Sequence, residues 1–134
     1  MGYSAHQTDS RFRIPVANLR PALLAVKTLT AEPRHFSWVN KQDVFEAGSL
    51  DDVLDCWGWQ IESDAKQDDG PGHIIGIRFT SEKIGDEDAL FGALAPFVDA
   101  GSYIEMSGED GDRWRWVFDS ATCTMVRPKV TWEA

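Results

Sequence analysis

The chain has 134 residues, 43% hydrophobic and 26% charged, with a formal net charge of -9 at pH 7. These proportions are those of an ordinary globular domain, and at this length roughly two thirds of the unfolded surface can be buried, so one ordered domain over residues 1–134 is expected and the disordered class is excluded. No apolar run approaches the ~20 residues that span a bilayer, and "MGYSAHQTDSRFR" has no basic stretch followed by an apolar one, so a cytoplasmic protein without a membrane partner is expected.

In chain order, "GYSAHQ" and "RFRIP" flank the turn-forming "TDS" and predict an opening hairpin. In "PVANLRPALLAVKTL", Val16, Leu19, Leu23 and Val26 recur at the spacing of one helical face. Pro15 suits a first turn, where no N–H is needed; Pro21 must kink the helix or mark its effective start, and Pro33 closes the region. "HFSWVN" is a short strand candidate.

"GSLDDVLDCWGW" predicts a second helix. Ser49, with Asp52 three residues on, makes a variant capping box; Leu50, Val53, Leu54 and Trp57 line one face, and Gly58 supplies the stop. Asp51 and Asp52 suit the positive end of the helix dipole. "WQIESDA" and "HIIGIRF" read as strands joined by the loop "KQDDGPG". "GDEDALFGALAPFV" predicts a third helix, opened by Asp86, Glu87 and Asp88, faced by Leu90, Phe91, Leu94 and Phe97, and shortened or bent by Pro96.

The last third predicts a meander of "SYIEMS", "RWRWVFD" and "TCTMVRP". A two-residue turn at Asp110-Gly111 would set Trp114 opposite Ser107 and Trp116 opposite Glu105, whereas a three- or five-residue loop sets Trp114 opposite Met106 and Trp116 opposite Ile104. The second register is expected, because it gathers the apolar residues on one face and lays Glu105 against Arg115 on the other. Continued through Ser120-Ala121, it places Cys123 by Phe118 and Met125 by Trp116. Ile104, Met106, Trp114, Trp116, Phe118 and Met125 then form one face to be covered by helices. The element order predicts an α+β single domain: a mainly antiparallel sheet of about six or seven strands, two or three helices on one face, and a C-terminal three-stranded meander.

"GSYIEMSGEDGDRWRWVFD", preceded by "ALFGALAPFVDA" and closed by "KVTWE", resembles a group of small acidic proteins of bacteriophages and other bacterial mobile elements, in which a "SYIEMSGEDG" stretch precedes a "WRW-F" strand. The likeness extends to "RFRIP" and to "SWVN" at Ser37 to Asn40. The resemblance implies a setting, a phage or mobile element in a bacterial host cell, and no catalytic residues.

Local chemistry is sparse. Cys56 and Cys123 lack CxxC spacing and fall in a helix and a strand pattern, so reduced thiols are expected. His6, His35 and His73 are not at i, i+4 and do not flank a cysteine pair, so no structural zinc is expected. "GEDGD" lacks the alternating ligands and terminal glutamate of a calcium loop, and "GPGHIIGI" leads into a strand where a phosphate loop needs a helix, so no metal or cofactor is expected. Ser4, Ser10 and Ser102 have no nucleophile-elbow pattern. Glu62 and Asp64 lie on one side of a predicted strand with His73 on the next, the groups a small metal-dependent hydrolase or nuclease would use. Arg11, Arg13, Arg20, Arg34 and Lys41, interleaved with Phe12, Phe36 and Trp38, offer a minor nucleic-acid patch.

Charge distribution is more informative. Residues 1–41 carry six basic and two acidic side chains, residues 42–112 three basic and eighteen acidic, and residues 113–134 four basic and two acidic. Such a block repels nucleic acid and anionic membrane and attracts a basic surface. The expected function is therefore non-enzymatic protein binding. Its candidate contacts are Asp43, Glu46, Asp51 and Asp55 around the second helix, Asp86, Glu87 and Asp88 at the third, and Glu109, Asp110 and Asp112 at the hairpin tip. The resemblance to proteins of mobile elements, which often carry small inhibitors of host defence, implies its sharpest form: an anti-CRISPR or anti-restriction type inhibitor, a decoy for phosphates on a basic nucleoprotein complex. The alternatives are the Glu62, Asp64 and His73 hydrolase, or an accessory structural protein whose acidity serves only solubility.

Overall fold

The computed structural model describes residues 3–66 and 70–133. Residues 67–69 of the "KQDDGPG" loop lie outside the described residues. The strands are β1 (Tyr3–Arg11), β2 (Trp59–Ser63), β3 (Ile74–Phe79), β4 (Lys83–Ile84), β5 (Tyr103–Gly108), β6 (Arg113–Phe118) and β7 (Cys123–Val126). The helices are α1 (Leu19–Thr30), α2 (Lys41–Glu46), α3 (Leu50–Cys56) and α4 (Glu87–Leu94). All strand pairs are antiparallel, and the fold is α+β as the element order requires. The strands divide into a five-stranded sheet, β4-β1-β5-β6-β7, and a two-stranded sheet, β2-β3.

The meander has the expected register: Met106 faces Trp114, Ile104 faces Trp116 and Glu105 faces Arg115, with Met125 at Trp116 and Cys123 at Phe118. Gly111 at φ 85° turns the five-residue loop between Ser107 and Arg113. The inner face carries a run of rings: Phe91 of α4 lies 4.9 Å from Trp116 and 5.1 Å from Trp59, and Trp116 lies 5.7 Å from Trp114. Burying each such ring is worth about 2 kcal/mol, which explains why α4 sits across the sheet. Met125 is the exception on this face at 37% exposed, because the core reaches edge strand β7 only at Cys123.

The helices follow their apolar stripes. Ala22, Leu23 and Val26 of α1, Leu50, Val53 and Leu54 of α3, and Leu90, Phe91 and Leu94 of α4 are all buried. Pro21 sits in the first turn of α1 and marks its effective start. Val16 leaves the predicted stripe because residues Val16–Asn18 form a 3-10 turn. Ser49 Oγ accepts from the Asp52 N–H as the cap of α3, and Gly58, at φ 86°, ends that region. Pro96 ends α4 in a 3-10 turn, Ala95–Phe97.

Three expectations are corrected. The opening hairpin does not form: β1 is one nine-residue strand, and "TDS" supplies a bulge between Gln7 and Asp9 where a turn was expected. "HFSWVN" is not a strand, since Trp38 adopts φ 62°, Phe36 plugs the core and Asn40 caps the unanticipated α2 by accepting from the Gln42 and Asp43 N–H groups. The aromatic platform for nucleic acid is not assembled, because Phe12 and Phe36 are buried and Arg34 lies over the Phe36 ring at 4.4 Å.

The two sheets meet edge to edge along β1 and β3. Ile14 and Ile74 exchange backbone bonds of 3.0 and 2.9 Å at one end, and past the other end of β3 the Ala5 N–H donates to Glu82 O at 3.1 Å, continuing the β1–β4 ladder. Between these points Gln7 stands in for a ladder: its Nε2 donates to Ile77 O at 2.8 Å, and its Oε1 accepts from the Phe79 N–H at 2.7 Å.

Candidate functional site

The ten acids singled out in the sequence fall into two sets. At the hairpin tip, Asp110 accepts from the Tyr3 hydroxyl, Glu109 from the Ser4 N–H at 3.2 Å, and Asp112 pairs with Arg127 at 3.1 Å. The Tyr3 bond holds the Asp110 carboxyl below the usual range and pushes the phenol up to about 12. Around α4, Asp86 accepts from the Ser37 N–H at 2.7 Å and Asp88 from Trp116 Nε1 at 2.9 Å.

Glu87 departs furthest from the expectation of an exposed acid. It is 5% exposed and accepts from Trp59 Nε1 at 3.2 Å and from the Gly85 N–H at 2.6 Å. Burial raises its pKa above the ordinary value. These six acids fasten the protein to itself.

The second set is free. Asp43 and Glu46 on α2 and Asp51 and Asp55 on α3, joined by Asp52 from outside the ten, are exposed and make no ion pair among the described residues. Glu46 accepts only from the neighbouring Gln42 side chain, at 2.9 Å. Burial, then the charges of Asp43 on α2 and of Asp55 and Asp52 on α3, raise the pKa of the Cys56 thiol at the end of α3. Partial burial and the adjacent Asp52 likewise raise that of Asp51. Five carboxylates on two short helices thus carry no ion pair from the described residues.

A second feature lies at the seam of the sheets. A trough of about 1020 Å³ runs between β1 and the β2-β3 pair, lined among others by His6, Thr8, Asp9, Gln60, Glu62 and Arg78. Of the hydrolase trio it receives only Glu62, whose carboxylate folds over Gly76. Asp64 lies past the bulge at Ser63, and His73 Nδ1 accepts from the Val16 N–H at 3.0 Å. No cluster of three or more metal-ligating side chains occurs among the described residues. Both cysteines are free.

Sequence reasoning passed over Phe45, which is 76% exposed beside the free acids. Its signal was the adjacent apolar pair in "KQDVFE", since on a helix this short only one of two neighbours can face the core. These features define an α+β domain with a split sheet and an unneutralised acidic helical face. Comparison with protein-family models, with curated proteins and with solved structures finds no match. No helix among the described residues is long and apolar enough to cross a membrane.

Proposed function

We propose that this protein is a non-catalytic binding module whose α2–α3 acidic face docks on a basic surface of a protein or nucleoprotein complex. One observation carries the reading: five exposed carboxylates of α2 and α3 make no ion pair among the described residues, whereas the acids of α4 and the hairpin tip are engaged within the fold. Like charges on adjacent turns cost a few tenths of a kcal/mol per pair, and a partner's Lys or Arg groups would offset that cost. Together with the resemblance to phage and mobile-element proteins, this favours an inhibitor that occupies the nucleic-acid channel of a host defence complex as a decoy for phosphates.

The test is affinity capture from bacterial lysate, with bound proteins identified and elution attempted by salt and by duplex DNA. The expected result is a nucleic-acid-binding complex released by both and lost with the Asp51→Asn, Asp55→Asn double variant. Capture that is indifferent to salt, to DNA and to the double variant would overturn the reading.

A further inference from the structure

The flank of α2 that meets α1 differs from the flank that meets α3. A groove of about 250 Å³ opens there, lined by Lys27 and Ala31 from the end of α1 and by Lys41, Val44 and Phe45 from α2. Among the described residues no acid lines it. Helix geometry explains why. Lys41, Val44 and Phe45 are spaced i, i+3 and i+4 and share one side of α2, whereas Asp43 falls on the other, where its charge acts on Cys56 of α3. α1 has no acidic residue along its length. Glu46 accepts from the Gln42 side chain at 2.9 Å, and the Glu32 carboxylate pairs with Arg34 at 3.4 Å.

The groove therefore offers two cations and a carbon wall. Lys27 Nζ donates to Phe45 O at 3.1 Å and Lys41 Nζ donates to Glu32 O. An ammonium has three N–H donors, so each keeps donors for a ligand, and neither lysine pairs with a carboxylate among the described residues. The Thr30 hydroxyl is turned away onto Val26 O at 2.7 Å. Val44, Ala31 and the exposed Phe45 ring supply the apolar surface. In a chain with 22 acidic and 13 basic side chains, two lysines at one groove without a carboxylate leave room for an anion from outside.

We infer that this groove binds a small organic carboxylate, its anionic head on Lys27 and Lys41 and its apolar body against Val44 and Phe45. The volume sets the size: it lies just under the ordinary range of ligand pockets, so a single ring or short alkyl chain fills it. A metal cation or a basic chain would be repelled by the two ammonium groups. The site goes beyond the acidic-face reading and does not depend on it, because the two occupy opposite flanks of α2.

The test is a chemical-shift titration of the isotope-labelled protein with phenylacetate, beside phenylacetamide, which keeps the body and lacks the charge, and acetate, which keeps the charge and lacks the body. Phenylacetate is expected to shift the Ala31, Gln42 and Phe45 amides saturably with a Kd of about 1 mM, ordinary for a ligand of this size. Phenylacetamide and acetate should each bind about tenfold more weakly. Lys27→Gln and Lys41→Gln should each weaken phenylacetate about threefold while leaving phenylacetamide binding and the melting temperature unchanged. Phe45→Ala should lower phenylacetate to the level of acetate.

Equal binding of phenylacetate and phenylacetamide, or no saturable shift at about ten times the expected Kd, would overturn the site. So would shifts centred on the other basic pocket, at Arg113, Arg115 and Arg127. A blocked peptide with Leu between two Asp residues that shifts the groove amides at lower concentration than phenylacetate assigns the groove to a protein partner and likewise overturns the proposal.

Discussion

Trp116 offers the most direct test of the packing. It is 2% exposed on the central strand of the meander, lies 4.9 Å from Phe91 and 5.7 Å from Trp114, and donates its indole N–H to Asp88 Oδ1 at 2.9 Å. Trp116→Ala removes the whole ring from a site closed by a helix on one side and neighbouring rings on the other, so collapse into the space is limited and the cost is about 3–5 kcal/mol. For a domain of this size one kcal/mol corresponds to roughly 3–4 °C in Tm, which sets the expected loss at about 10–20 °C. Trp116→Phe keeps most of the packing and loses the bond to Asp88; that carboxylate is exposed and regains water, so the hydrogen-bond share of the loss is about 1 kcal/mol. Met125→Ala, opposite Trp116 but at the open edge, should cost less than about 1 kcal/mol. Thermal melts followed by near-ultraviolet circular dichroism order the three variants. A Trp116→Ala protein that melts within about 4 °C of wild type and yet loses a partner would refute the core assignment and place the ring in a groove.

Other outcomes follow from contacts already described. Glu105 is held at about 2, below its ordinary 4.5, by its bonds from Thr8, Arg115 and Arg113. Its stabilisation is therefore present above the ordinary value and lost as pH falls from 4.5 toward 2. Glu105→Gln should flatten that acid limb in urea titrations, and an unchanged limb would count against the network. Asp51 has the opposite sign, a raised pKa, so Asp51→Asn with Asp55→Asn should gain slightly on wild type as pH rises through the carboxylate range, readable as Tm against pH. Gln7→Leu removes the two side-chain bonds in the middle of the seam, and the Phe79 amide, which Gln7 Oε1 protects, should exchange with solvent at least about tenfold faster while β5–β6 amides keep their protection. Gly58→Ala forces a Cβ onto φ 86° and to within 2.9 Å of Ser81 Cβ, and should cost about 1–3 kcal/mol in chemical denaturation.

What was legible in the sequence was whatever local spacing alone determines. The meander register could be worked out because sliding it by one residue would have set Trp114 and Trp116 against Ser107 and Glu105. The two longer apolar helices and the Ser49 cap are likewise local patterns. Long-range pairing was not visible. Thr8, Asp9 and Ser10 have turn composition, but pairing of β1 with a strand nearly a hundred residues away absorbs them as a bulge. Glu87 follows the pattern of an exposed first-turn acid, and only the arrival of Trp59 and the Gly85 N–H explains its burial. The same holds for the acids as a set: Asp110 is engaged by the hydroxyl of Tyr3, 107 positions away, so composition could locate the charge without separating engaged carboxylates from free ones. Phe45 was passed over because α2, with only Val44 buried, has too short an apolar period to be seen.

The Gln7 bridge has a mechanical consequence. Along the rest of the five-stranded sheet, a pull parallel to the strands loads many backbone bonds at once. Along the β1–β3 seam the same pull meets Ile14–Ile74 at one end, Ala5–Glu82 past the other end of β3 and one glutamine amide between them, so tension concentrates on each attachment in turn. The β2-β3 pair should therefore peel away at lower force than the meander, and the glutamine is the rivet whose removal lowers that force further.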